Sequence, residues 1–269
     1  MKTNLILLTL LIIILTLIAC RPDTFKFVVI PAEDAAQTRE QWKAMTDYLS
    51  DGLGQTVELV TVADYTSAIE AMKYGHADLA RLSAAGYVMA IDEGVDIEPL
   101  VTGIKIETGL PGYYAMLIAL AGTDISDLNS LTFAFVDVGS TSGYILPSLY
   151  LEEIGVDPKP LFTGSHNASI LALLNGSVDV VAVASNRVET AIKEGVMGKG
   201  EFQIVWKSKL VPNVPIVVQA DLPQSTKNRL TSLFIDMPEE IVLAAMTNES
   251  GYVEVDDETY DTVRQSMGR

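Results

Sequence analysis

Segments of strand-like and helix-like periodicity alternate along almost the whole chain, and that alternation constrains the fold more than any other feature. Phe25–Ile30 is apolar and β-branched, the pattern of a buried strand. Thr38–Leu53 carries Trp42, Met45 and Leu49 at helical spacing and closes on Gly52 and Gly54. Gln55–Val60 alternates with period two, as a half-buried strand does. Asp64 is placed to cap a helix whose inward face is Ile69 and Met72, and Gly75 ends it. A short strand at 78–82, a helix at 83–93 and a strand from 97 to 101 follow. This order predicts a layered α/β unit with a largely parallel sheet.

The plan then repeats. Tyr113–Leu120 reads as a strand crossing into a second lobe. That lobe holds a linking helix near Ser126, strands at 131–136, 160–162, 178–183 and 202–207, and helices at 144–154 and 168–175. Pro212–Val218 returns to the first lobe, and helices at 224–235 and 238–246 precede a polar C-terminus. Lobe 1 is therefore placed at 25–117 and 214–269, and lobe 2 at 118–213. No tandem repeat of short period occurs.

Strand 131–136 and helix 144–154 are joined by a Gly/Ser/Thr-rich turn, Val136-Asp-Val-Gly-Ser-Thr-Ser-Gly-Tyr144. The first N–H groups of a helix lack partners within it, and its N-terminus carries partial positive charge. Ser140, Thr141 and Ser142 add three hydroxyl donors there, which makes an anion cradle without a lysine. The plainer reading is that Ser140 or Ser142 simply caps the helix. His166 follows a Gly-Ser loop and is either a loop histidine or a donor to an anion. Tyr65, beside the Asp64 cap, belongs either to the core or to a site. Arg81 interrupts a buried-looking strand, and an ion pair with Asp78 or Asp92 is its preferred role. His76 is read as solvated.

The 269 residues suffice for two ordinary domains. A formal charge of −17 argues against a nucleic-acid partner, although local backbone dipoles still permit anion binding. Two distant histidines and one cysteine offer no zinc site. The N-terminus has a basic Lys2, an apolar run from Leu5 to Ile18, and Leu17-Ile18-Ala19-Cys20. This is the form of a signal peptide at 1–19 ending in a bacterial lipobox, with Cys20 lipidated and 20–24 a tether. The alternative is an uncleaved membrane anchor. Either way the rest of the chain sits outside the cytoplasm, in the periplasm or on the outer face of the membrane. No later segment is long and apolar enough to span a bilayer.

Several stretches, taken together, resemble the solute-binding lipoproteins of phosphate, phosphite and phosphonate ABC transporters. They include Ile30-Pro31-Ala-Glu33-Asp34, Asp64-Tyr65 with Ile69-Glu70-Ala71, and Gly75-x-x-Asp78-Leu-Ala-Arg81. Further on come Ser140-Thr-Ser-Gly-Tyr144, Gly164-Ser-His166-x-Ala168, Leu174-Asn-Gly-x-Val178-Asp179, and Trp206-Lys-Ser208 with Pro212-x-x-Pro215. The resemblance implies a type II periplasmic-binding-protein fold, two α/β lobes hinged around a ligand cleft. It implies a monomer that delivers a small phosphorus oxyanion to a permease and its ATPase, without cofactor, metal or catalysis. It places Ser140, Thr141, Ser142 and Gly143 around the oxygens, His166 beside them, and Tyr65 and Tyr114 closing from the first lobe, with Tyr113 adjacent. Leu82-Ser83-Ala84-Ala85 replaces a more usual Gly-Pro-containing turn in that wall. Members that bind aminoethylphosphonate carry carboxylates where this chain has Asn186 and Val214. A buried ammonium without a counter-charge is costly. The implied ligand therefore lacks an amine, with phosphite or methylphosphonate ahead of phosphate. An alternative is a sensory binding protein that docks on a histidine-kinase ectodomain.

Overall fold

The computed structural model describes residues 24–31, 34–106 and 108–269. The expected signal peptide, the lipidation site Cys20 and the tether through residue 23 lie outside the described residues, as do Ala32, Glu33 and Glu107. Among the described residues, no helix is long and apolar enough to cross a membrane.

Two sheets organise the chain. In the first lobe β1 (Thr24–Val29), β2 (Thr56–Thr61), β3 (Leu79–Arg81) and β4 (Ile97–Lys105) alternate with α1 (Ala35–Leu53), α2 (Tyr65–Lys73) and α3 (Ala84–Asp92). The outward crossing contains β5 (Gly112–Tyr113). The second lobe runs β6 (Ala115–Leu120), β7 (Phe133–Phe135), α4 (Leu146–Glu153), β8 (Leu161–Phe162), α5 (His166–Leu174), β9 (Val180–Ala184), α6 (Ser185–Lys193) and β10 (Phe202–Lys207). The chain returns through β11 (Val211–Pro212) to β12 (Pro215–Gln219), α7 (Gln224–Ile235), α8 (Glu239–Ala245), β13 (Glu249–Glu254) and α9 (Asp261–Ser266). The sheet orders are β13-β4-β12-β3-β1-β2 and β10-β6-β9-β7-β8. The β1 strand is parallel to β2 and β3, and β7 to β8 and β9. β12, β13, β6 and β10 run antiparallel to their neighbours, so both sheets are mixed.

Strand parity distributes the core over both faces of each sheet. Phe27 and Val29 join Trp42, Met45 and Leu49 on one face, while Val28 packs with Ile69, Met72 and Tyr87 on the other. In the second sheet Met116 and Ile118 face one way and Leu117 and Ala119 the other. Each fully buried side chain of this size contributes about 1.5–3 kcal/mol relative to exposure. The α1 helix starts where Asp34 accepts a hydrogen bond from the Ala36 N–H (2.7 Å) and stops at left-handed Gly54 (φ 70°).

The structure departs from the sequence expectations in four places. The second sheet begins at Ala115, ahead of the expected boundary at residue 118, because β6 pairs with β9 from its first residue. The linking helix is a 3-10 turn at Leu128–Ser130. Helix 144–154 is preceded by a wide π turn, Thr141–Ile145, and turns α-helical only at Leu146. The polar C-terminus, in which no element was expected, contains β13 and α9.

The β13 strand carries the most heavily committed charge in the first lobe. Glu249 is fully buried, and its Oε1 accepts from Lys105 Nζ (2.7 Å), Arg81 Nη2 (3.0 Å) and Asn213 Nδ2 (3.0 Å). Asn213 lies on the return crossing, and its Nδ2 also donates to the Gly103 carbonyl (2.8 Å). A Cβ at Gly103 would stand 2.0 Å from Glu249 Oε2, so only glycine leaves room for the carboxylate. Burial disfavours the Glu249 charge, but Lys105 and then Arg81 outweigh burial and hold its carboxyl at about 2. Burial pushes the Lys105 ammonium down, against the pull of Glu249.

Glu249→Gln leaves two buried cations without their carboxylate, and we expect it to lower unfolding stability at pH 7 by about 3–5 kcal/mol. The folded pKa lies below the unfolded value of 4.5, so this contribution is present above pH 4.5 and is lost as pH falls toward 2. Denaturant titration of both proteins from pH 7 to pH 3 checks this. A variant as stable as the parent at pH 7 would contradict it.

Candidate functional site

The two lobes meet where two helix starts face each other. Ser83 caps α3 by accepting from the Gly86 N–H (2.8 Å), and Ser140 caps the π turn by accepting from the Gly143 N–H (3.1 Å). The lobes are linked directly at this point: the Ser83 hydroxyl donates to the Gly139 carbonyl (2.7 Å), and the Ala85 N–H donates to Thr141 Oγ1 (2.9 Å). Ser140, Thr141 and Ser142 are all buried. Two positive helix ends thus converge on one sealed spot lined by hydroxyls.

Glycines permit this approach. A Cβ on Gly139 would lie 2.6 Å from Tyr65 Cβ, so the second lobe closes here on bare backbone. A Cβ on Gly143 would meet Val136 Cγ2 at 2.4 Å, so the turn folds back onto the end of β7 only with glycine. The bond from the Ile145 N–H to the Ser140 carbonyl (2.9 Å) spans five residues and widens the turn.

Two tyrosines approach the cradle. Tyr65 opens α2 and lies against the Ser140 hydroxyl; burial raises its pKa, opposed by Arg81 and Arg187. The second tyrosine is Tyr113. Burial pushes its phenol up to about 12, against contacts with the hydroxyls of Ser142 and Thr141. Tyr114 points the other way, as the next residue of an extended segment must. Its ring lies under Lys207 Nζ (3.7 Å to the centroid), and its N–H donates to Ser185 Oγ (3.1 Å). Of the two tyrosines left open by the sequence, Tyr113 is the one that lies against the cradle hydroxyls.

His166 opens α5 after the Ser165 cap. Its Nδ1 accepts from the Ala184 N–H (3.4 Å), which leaves the ring proton on Nε2 as a donor. Burial, and then Arg187, push the imidazole down to about 3, so it is neutral throughout the ordinary pH range. His76 is exposed, as expected.

A cavity of about 240 Å³ opens beside the cradle, between Tyr65, Arg81 and Val214 on one side and Val136, His166 and Arg187 on the other. Arg81 reaches it while paired with Glu249. The expected partners are engaged elsewhere: Asp78 accepts from the Lys26 N–H (2.9 Å) and Asp92 pairs with Arg269 (2.6 Å). Asn186 is not part of the cavity wall, and its carbonyl accepts from Thr190 Oγ1 (2.9 Å). Arg187, one residue on, lines the cavity, because one residue turns a helix by about 100°. An arginine in the first turn of the helix that follows a buried strand was the available signal. Among the described residues, no group of three or more His, Cys, Asp or Glu is placed to hold a metal ion.

Comparison with known proteins agrees with this architecture. A family model described as the periplasmic substrate-binding protein of phosphonate ABC transporters matches residues 27–260. The chain is 31% identical over 229 residues to the phosphate-import protein PhnD of Mycolicibacterium smegmatis, spanning 79% of this chain and 71% of that protein. The crystal structure of a binding-protein component of an ABC phosphonate transporter from Pseudomonas aeruginosa superposes with a TM-score of 0.79 at 27% identity, covering 90% of this chain and 85% of that one. PhnD1 of Prochlorococcus marinus, solved with methylphosphonate, also gives 0.79, at 19% identity, covering 91% and 97%. The two-lobed fold expected from the sequence is thereby shown.

Two expectations follow from the site geometry. Gly139→Ala sets a methyl against Tyr65 and opposes closure while sparing both lobe cores. Oxyanion affinity should fall about tenfold to a hundredfold, the equivalent of typical overpacking strain, with little change in melting temperature. An affinity equal to the parent's would show that closure does not need bare backbone here. His166 has its folded pKa below the unfolded 6.5, so its neutral burial costs stability as pH falls from 6.5 toward about 3. His166→Gln should flatten the unfolding free energy across that window, and a slope identical to the parent's would contradict the assignment.

Proposed function

The chain belongs to the family of periplasmic substrate-binding proteins of phosphonate ABC transporters, and we propose that its ligand is a small phosphorus oxyanion without an amine, phosphite or methylphosphonate ahead of phosphate and aminoethylphosphonate. Proteins of this family capture solute for a membrane permease and its ATPase, and transport rather than catalysis is their role. On this reading Cys20 carries a lipid that holds the monomer at the outer side of the membrane.

The observation that carries the reading is the pair of capped helix starts, Ser83–Gly86 and Ser140–Gly143, directed at each other from opposite lobes. An oxyanion docking on the second-lobe cradle neutralises two partial positive charges that closure brings together. Ser140, Thr141 and Ser142 supply hydroxyls, the Gly143 turn supplies backbone dipole, and His166 supplies the Nε2–H. Tyr65 and Tyr113 complete the shell from the first lobe and the crossing, and closure excludes water. Neutral His166 keeps this donor set constant with pH.

The absence of an amine is supported by Arg81 and Arg187 in the cavity wall, where Glu194 is the one carboxylate among the described residues. An ammonium there finds a single described counter-charge, a poor basis for holding an amino-phosphonate. Val214 supports discrimination against phosphate, whose extra hydroxyl would face an apolar group.

Isothermal titration at one pH with phosphite, methylphosphonate, phosphate and aminoethylphosphonate tests the reading. Phosphite or methylphosphonate should bind tightest and the amine weakest. Aminoethylphosphonate binding best would overturn the amine exclusion. If none of the four binds, the oxyanion reading fails and a sensory role takes precedence.

A further inference from the structure

The contact between the lobes contains two hydrogen bonds that need no ligand atom to complete them. A serine hydroxyl has one proton, and that of Ser83 goes to the Gly139 carbonyl at 2.7 Å. The same oxygen accepts from the Gly86 N–H (2.8 Å), so the cap is made inside the first lobe while the proton crosses to the second. The Ala85 N–H is among the first donors of α3, which have no partner within the helix, and Thr141 Oγ1 takes it (2.9 Å). Ser83 and Gly139 are both buried, and neither lines the cavity beside the cradle.

We propose that Ser83 is a positioning residue for closure: it retains bound ligand by gripping Gly139, without touching the ligand, and by the same factor whichever oxyanion is held. The inference rests on the proposed reading of the cleft as an oxyanion site that closes over its ligand. A hydroxyl whose one proton is committed to Gly139 has none left for a ligand oxygen. What it orients instead is the backbone on which the cradle is built. The Gly139–Ser140 peptide is planar, so holding one side holds the other. Its carbonyl accepts from Ser83, and its N–H donates to the Asp137 carbonyl (2.9 Å).

The bare backbone at Gly139 is what brings a side chain as short as serine within reach. A Cβ there would stand 2.6 Å from Tyr65 Cβ, so a bulkier residue would hold the two lobes apart. Opening the cleft breaks both bonds together, since the Gly139 carbonyl loses its donor as the Ala85 N–H loses its acceptor. A ligand leaves only when the lobes part, so these bonds act on release. They also oppose the mutual repulsion of two helix N-termini brought face to face. A residue that contacts the ligand distinguishes one phosphorus compound from another, whereas a grip between lobes lengthens the stay of all of them alike.

The test follows release of phosphite and methylphosphonate from the purified full chain by isotope chase, for the parent, Ser83→Gly and Ser83→Ala. Glycine starts a helix almost as well as serine and alanine does not, but both lack the hydroxyl. Both variants should release each oxyanion about threefold to tenfold faster than the parent, the effect of one lost hydrogen bond, with the ratio between the two ligands unchanged. Faster release from Ser83→Ala alone would assign the effect to the helix cap and overturn the proposal, as would release at the parent's rate from both variants. A factor that differs between the two ligands would make Ser83 a ligand contact and also overturn it. If neither oxyanion binds the parent, the oxyanion reading falls and the Ala85 amide decides the matter. Slower hydrogen exchange there in the parent than in Ser83→Gly upholds the grip between the lobes, and equal exchange overturns it.

Discussion

The buried carboxylate of Glu249 is the interaction on which the rest of the molecule depends. It joins β13 to β4 through Lys105, to β3 through Arg81, and to the return crossing through Asn213. Removing any member strands a charge or a polar group away from water, which costs more than the intact set gains. The network is therefore better understood as a positioning device than as a source of net stability. It fixes the arginine that faces the cleft, and it sits where the chain passes between lobes.

Recognition in the cleft follows from short-range fields rather than from net charge. The chain is strongly acidic overall, yet the spot between the lobes collects two helix N-termini, buried hydroxyls and a neutral histidine donor. Each cap is formed within its own lobe, so these donors are already aimed and what binding has left to organise is the approach of the lobes. On the proposed reading, selectivity between phosphorus compounds falls to groups beyond the oxygens, among them Val214 in the cavity wall.

Features with local signatures were legible in the sequence. Strand–helix alternation, the Asp64 cap beside Tyr65, the Ser140–Gly143 turn and the His166 loop all announce themselves within a few residues. What escaped depended on distant or directional information. Arg81 was assigned to nearby acids, but its partner is 168 positions away. The β13 strand was passed over because Glu249–Glu254 carries two glutamates and a glycine-centred irregularity, and only pairing with β4 makes it a strand. Tyr113 and Tyr114 differ only in the parity of an extended segment, and Asn186 and Arg187 only in helical phase. A one-residue error in either reverses which side chain meets the cleft.

The pairing of the two crossings has a kinematic consequence. Val211 and Pro212 are hydrogen-bonded in register with Tyr113 and Gly112, so the outward and return passages form one ribbon rather than two independent strings. Two separate linkers would let the lobes twist, slide and bend. A paired ribbon resists shear and torsion, and leaves a single soft degree of freedom, flexing across its width. Tyr113 belongs to that ribbon and lies against the Ser142 hydroxyl, so the innermost point of the cleft is built on the crossing itself rather than on either lobe alone.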